Sequence, residues 1–228
     1  MLDVIRKCFE DGNVASFFCN PDYTDLHLTG YVAKYSTDEV LIAHISVHGY
    51  YDGFILKPVK DIYRIDYAGN YETKIDRLYK QRKQGHPNLG GIGDGEIMPS
   101  LFSYAKDNSL IICLEFQDNL LRGFVSNYND NTICINIIDD YGCDDGISVI
   151  NLEDILTVSV DTDDEQDALL LYKANQTNQP INLVTGALSA IPGGGALLAV
   201  ADVVGSSVIK VGVDSLMNKL KLQTEYLC

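Results

Sequence analysis

The residues of this chain that could do chemistry are few and scattered. Lys57, Lys60 and Arg64 lie close together, and Arg77, Lys80, Arg82 and Lys83 follow at the end of an expected helix, so RNA is one candidate ligand. The four histidines (27, 44, 48 and 86) and six cysteines (8, 19, 113, 134, 143 and 228) show no nucleophile-base order and no C-x-x-C spacing. His44 and His48 are four apart, but their strand-turn context does not put them on one helical face as a zinc pair requires. Gly90-Gly91-Ile92-Gly93-Asp94-Gly95 lacks the Lys-Ser/Thr of a phosphate loop and reads as a connector. Asp139-Asp140-Tyr141-Gly142-Cys143-Asp144-Asp145-Gly146 offers hard oxygen ligands without the alternate spacing and final Glu of a calcium loop, so it reads as a hairpin tip. Asp161 to Asp167 precedes an expected helix, where acidic residues favour the positive end of the dipole. No catalytic residue, metal site or cofactor is expected, and the reading is non-enzymatic.

What must position these residues is a duplication. Shifted by 93 positions, residues 28–80 fall on 121–173 without a gap, with 15 identities in 53 pairs, among them Gly30/Gly123, Gly49/Gly142, Asp52/Asp145, Gly53/Gly146 and Leu-Tyr-Lys at 78–80 and 171–173. The net charge of −15 is uneven. Residues 1–93 hold 11 Lys and Arg against 12 Asp and Glu, whereas 94–228 hold 6 against 20. Such an acidic surface disfavours nonspecific nucleic-acid binding by the whole molecule.

Read in order, residues 2–10 form a helix with Leu2, Ile5 and Phe9 on one stripe, and Val14–Cys19 a short strand. Four strands follow at 27–35, 39–47, 53–57 and 62–67, then a helix carrying Tyr71, Ile75, Leu78 and Tyr79. The second repeat gives a helix at 99–106, strands at 110–116, 121–128, 132–138, 147–151 and 155–160, and a helix at 165–174. The expected fold is mainly β: two tandem closed five-stranded barrels with flanking helices, a first module at 1–83, a glycine-rich linker at 84–96, a second module at 97–175 and an apolar helical tail at 176–228. Apolar surroundings of Cys19, Cys113 and Cys134 suggest reduced buried thiols, and the N-terminus lacks the order of a signal peptide, so a cytoplasmic location is expected, with membrane association as an option.

From Ala174 to Ala201 there is no charged residue, a run of 28 positions. Gly193, Gly194 and Gly195 interrupt it, and Gly186, Gly205 and Gly212 add small residues that permit close helix approach in an assembly or in lipid, with residues 181–213 as the candidate membrane segment.

Leu28-Thr29-Gly30-Tyr31-Val32, followed by Asp38, Ile42 and Ile45, resembles the first signature of the Sm/LSm family, and Gly53 to Ile62 sits where Hfq-like members carry the second. The resemblance implies bent five-stranded barrels that join edge to edge in rings, three chains of two barrels closing a pseudo-hexamer. It also implies RNA bound near the signature turns. Only Lys57 matches the basic position there, and the second repeat has Ile150-Asn151-Leu152 instead. The expected function is a self-associating binding or scaffold protein, with a homo-oligomer or one protein partner. Alternatives are a membrane-associated factor, including an immunity or partner-recognition role, and RNA binding through Lys57, Lys60, Tyr63, Arg64, Arg77, Arg82 and Lys83.

Overall fold

The same run of elements appears twice at the offset read from the sequence. The computed structural model describes residues 1–89, 97–117 and 119–178, which fall within one compact unit. The first run is α1 (Leu2–Asp11), β1 (Ala15–Phe18), β2 (Leu28–Tyr35), β3 (Glu39–Ile45), β4 (Tyr51–Pro58), a 3-10 turn (Val59–Asp61), β5 (Arg64–Tyr67) and α2 (Asn70–Gln81). The second is α3 (Ile97–Asp107), β6 (Ile111–Glu115), β7 (Leu120–Tyr128), β8 (Thr132–Ile138), β9 (Asp144–Asn151), a 3-10 turn (Leu152–Asp154), β10 (Thr157–Val160) and α4 (Asp163–Asn178). Even the irregularities repeat. Register shifts fall at Val32/Lys34 and Ala43/Ile45, and 93 positions on at Val125/Asn127 and Asn136/Ile138. Gly30 and Gly123 face the second of these bulges, where a Cβ would lie 2.2 Å from the carbonyl oxygen of Ala43 or 2.0 Å from that of Asn136. Only glycine allows that backbone approach.

The expectation of two closed barrels is overturned. All ten strands form one open antiparallel sheet in the order β5-β1-β2-β3-β4-β10-β6-β7-β8-β9. Closing the first block would require β4 to meet β5. Instead β4 pairs with β10 of the second repeat, with Phe54, Ile55 and Leu56 opposite Val160, Ser159 and Val158. An unpaired strand edge has a row of free backbone donors and acceptors, and here each repeat satisfies one edge of the other.

The core follows this seam. Leu41, Ala43, Phe54 and Leu56 of the first repeat share one cluster with Leu101, Phe102, Ala105, Ile112, Leu114, Val158 and Val160 of the second. Helix α3 therefore packs across the joint, and each fully buried Leu, Val or Phe there contributes about 1.5–3 kcal/mol. Separate clusters hold α1 on Phe17, Val32 and Ile42, α2 on Val14 and Ile45, and α4 on Ile111 and Ile138.

Gly53 is the tightest point of the seam. Its φ is +64°, and a Cβ would lie 2.3 Å from the Val160 carbonyl oxygen and 2.5 Å from the Thr162 nitrogen. Its counterpart Gly146 has φ +93° with open space around the Cβ position. Gly146→Ala thus carries only the left-handed backbone penalty of about 1–2 kcal/mol, whereas Gly53→Ala adds a backbone clash and is expected to lose at least about 2 kcal/mol more. Urea unfolding of the two variants at submicromolar concentration measures the difference.

Candidate functional site

Because side chains alternate along a strand, the seam that buries Phe54, Leu56, Val158 and Val160 on one face must show Ile55, Lys57, Thr157 and Ser159 on the other. On that second face His44, Asp52, Lys57, Glu115, Arg122 and Glu165 converge around a cleft of about 360 Å³. They come from β3, β4, β6, β7 and α4, so both repeats are needed to build it.

The groups are bonded to one another. Lys57 Nζ donates to Thr157 Oγ1 and lies 3.4 Å from Glu115 Oε2, while the Thr157 hydroxyl donates to the same carboxylate at 2.5 Å. Burial would raise the Glu115 pKa, but the Thr157 hydrogen bond and the Lys57 charge outweigh it and hold the carboxyl below its ordinary range. Asp52 behaves alike. Burial opposes its ionisation, yet His44 and the backbone N–H of Asp163, donating at 2.9 Å, hold its pKa down. His44 Nδ1 is 3.0 Å from Asp52 Oδ2 but is not aligned for a hydrogen bond, so that attraction is one of charge when the imidazole is protonated. Glu165 is buried and its pKa raised by desolvation, against hydrogen bonds from the Thr162 hydroxyl (2.5 Å), the Thr162 N–H (2.9 Å) and Ser159 (2.9 Å). Glu165 thus reaches back to the Thr162 N–H at the start of α4, the carboxylate half of a capping box.

This net commits the obvious reactive groups. The hydroxyl protons of Thr157 and Ser159 are given to carboxylates, and burial pushes the Cys113 thiol up to about 12, far from the thiolate a nucleophile needs. Arg122 is 18% exposed and 3.5 Å from Asp140, and among the described residues its buried Nε has no hydrogen-bond partner. What the arrangement does is join two sheets' worth of strands through charge and hydrogen bonds.

His86 braces the same region from the linker side. Its Nε2 donates to the carbonyl oxygens of His44 and Gly53, both at 2.9 Å, which fixes the proton there and leaves Nδ1 to accept from the Tyr79 hydroxyl at 2.6 Å. His44 sits at the β3 bulge and Gly53 at its left-handed turn, places where the ladder leaves carbonyls without strand partners.

The basic residues singled out from sequence do not form one patch. Lys57 is absorbed by the seam. Arg64 grips Asp66 through Nε at 2.8 Å and lies 4.4 Å above the Phe18 ring. Arg82 lies 4.3 Å over Tyr50 and donates to its hydroxyl and to the His48 carbonyl. Tyr63 is exposed beside Phe18. Lys60, Arg77 and Lys83 are exposed, and form no ion pair among the described residues. Asp139 Oδ1 accepts the N–H groups of Tyr141 and Cys143, as a hairpin tip requires, and among the described residues no group of acidic, His or Cys side chains is placed to hold a metal. Cysteines 8, 19, 113, 134 and 143 are free thiols, the last one exposed. The tail glycines Gly186, Gly193, Gly194, Gly195, Gly205 and Gly212, and the segment 181–213, lie outside the described residues. Among the described residues no helix is long and apolar enough to cross a membrane.

Sequence reading missed Asp52, Glu115, Thr157, Ser159 and Glu165 as one constellation. The only signal was a set of polar residues on alternate positions of otherwise apolar strands. Comparison of the chain with protein-family models, curated proteins and solved structures finds no match.

Burial holds the His86 pKa near 4, below the ordinary 6.5. As pH falls from 6.5 to about 4 the unfolded chain takes up the proton first, so stability present above pH 6.5 drops by on the order of 2–3 kcal/mol across that window. His86→Gln keeps a donor without the titration, and is expected to flatten the slope of unfolding free energy against pH between 4 and 6.5.

Proposed function

We propose that the chain is a binding scaffold that self-associates head to tail, β9 of one copy pairing with β5 of the next as β4 pairs with β10 within the chain. The observation that carries this is the contrast between equivalent strands. Phe54 and Leu56 on β4 are 1% and 2% exposed, whereas Ile147 and Val149 at the same positions of β9 are 69% and 70% exposed. Both strands that end the sheet, β9 and β5, are copies of the two strands that meet at its centre. A long apolar edge left unpaired is a site for another chain.

Transferring the inner register by 93 positions sets Val149 opposite Ile65, Ser148 opposite Asp66 and Ile147 opposite Tyr67 of the neighbour. Gly146, open in the single chain, takes the place of Gly53, with Ala68 (φ +59°) in the place of Asp161 (φ +59°). Asp145 replaces Asp52 and faces the first residue of α2, Asn70, as Asp52 faces Asp163. At the far end of the strand Lys57 becomes Ile150 and Glu115 becomes Phe18, an apolar pair in place of an ionic one. The acidic second repeat would also meet the near-neutral first, which favours this order over like meeting like. The Sm/LSm resemblance of residues 28–62 supports edge-to-edge joining, since that is how the family builds rings. The contact is heterologous, so it closes into a ring or continues as a filament according to the rotation per copy.

Sedimentation of the full chain at tens of micromolar tests the proposal. Wild type is expected to be oligomeric, while Val149→Lys, which spoils β9, and Tyr67→Lys, which spoils β5, are each monomeric with little change in melting. Mixed, those two variants retain one intact edge each and are expected to form a 1:1 dimer. A monomeric wild type, or a mixture that stays monomeric, overturns the reading.

A further inference from the structure

The duplication offers an internal control at a second surface, away from both sheet edges. In the first repeat the Tyr31 hydroxyl donates to Asp76 on α2, and Lys80 donates to the same carboxylate at 2.8 Å. Burial and that carboxylate raise the Tyr31 pKa, so the phenol stays a donor. The lysine there has its counter-ion built in. At the equivalent positions of the second repeat stand Phe124, Leu169 and Lys173, with Val125 and Tyr172 matching Val32 and Tyr79 unchanged in type. Phenylalanine and leucine cannot reproduce the network. Where the first repeat has a cleft of about 210 Å³ beside Val14, Asp76 and Lys80, the second has a groove of about 360 Å³ between α3, α4 and β7, with Leu110, Phe124, Val125 and Leu169 in its wall.

Two lysines line the same groove, Lys106 from the last turn of α3 and Lys173 from α4. Both are exposed, and among the described residues neither forms an ion pair. The placing is uneven for such an acidic half: between residues 97 and 178 the chain has only Lys106, Arg122 and Lys173 as cations, and two of the three meet here. An apolar wall of ligand-sized volume under a pair of uncommitted ammonium groups matches a molecule with an apolar body and an anionic head.

We propose that this groove binds an amphiphilic anion, an unbranched acyl carboxylate whose chain lies along Phe124, Val125 and Leu169 and whose head meets Lys106 and Lys173. The ligand supplies the carboxylate that Asp76 supplies in the first repeat. The proposal is independent of head-to-tail association, because none of these residues lies on β5 or β9.

Calorimetric titration of the full chain with decanoate, below its micelle concentration, and with decanol in parallel tests it. Decanoate is expected to bind one per chain. Decanol is expected to bind about four- to 25-fold more weakly, since each of the two exposed ion pairs is worth about two- to fivefold. The surface variant Lys106→Gln/Lys173→Gln should bring decanoate down to the level of decanol. Phe124→Tyr/Leu169→Asp rebuilds the network of the first repeat and should abolish binding of both, with its unfolding curve showing that the fold is kept. No binding of decanoate to the full chain, which is also the outcome if a peptide segment occupies the groove, overturns the proposal. So does equal affinity for decanoate and decanol, or decanoate affinity unchanged in the double glutamine variant.

Discussion

The pairing of β4 with β10 is the interaction on which the rest of the structure depends. It turns two five-stranded blocks into one sheet, lays the floor on which α3 packs, and brings the polar faces of both repeats together. Backbone hydrogen bonds alone would give this joint little preference for one register over another. The register is set by what lies on either side: Phe54, Leu56, Val158 and Val160 on the buried face, and the Lys57, Thr157 and Glu115 triad on the other. A slip by one residue would exchange the two faces, burying an ammonium and a carboxylate and exposing the aromatic anchor. Charge therefore acts here as a marker of alignment more than as a source of stability, in keeping with the small net worth of partly exposed ion pairs.

Against that shared framework the two repeats differ at a few chemically decisive positions. Lys57 against Ile150 separates an inner strand edge lined with polar partners from an outer one that ends the sheet with an apolar side chain. Asp76 against Leu169 separates a smaller, acid-lined cleft from a larger one with an apolar wall. In both cases the backbone, including its bulges and left-handed glycines, is the same. Side chains in a duplicated sheet can diverge in this way because strands and bulges need only the alternation and the glycines, and leave the outward positions free.

Much of the secondary structure was legible in the chain. β8 lies at 132–138 as its apolar alternation indicated, and α2 follows the stripe of Ile75 and Tyr79. β9 begins at Asp144, three residues before the expected Ile147, because Asp144, Asp145 and Gly146 are poor strand formers held extended by pairing with β8, Asp144 opposite Ile138. β5 begins at Arg64 and not Ile62, since Ile62 closes the 3-10 turn and turns inward. The closure of each block was not legible. Alternation tells which face of a strand is buried, but the hydrogen-bonding edge carries no residue code, so whether β4 finds β5 or β10 is decided by packing across the whole molecule. The site suffered the same limit: Lys57 stood out as an isolated cation, while its partner Glu115 is 58 positions away.

The position of β10 also governs how this protein comes to be folded. Among the described residues it is the last strand, yet it lies in the middle of the sheet, so Tyr51 must wait for Asp161, 110 positions later, before its hydroxyl finds its acceptor. Pairings of such sequence separation are slow to form. During synthesis the first block emerges whole while β4 still lacks a neighbour, and a chain stopped before Thr157 would present Phe54 and Leu56 on an open edge. The sheet is thus completed by inserting its central strand, a late step whose failure exposes the most apolar seam of the molecule to other chains.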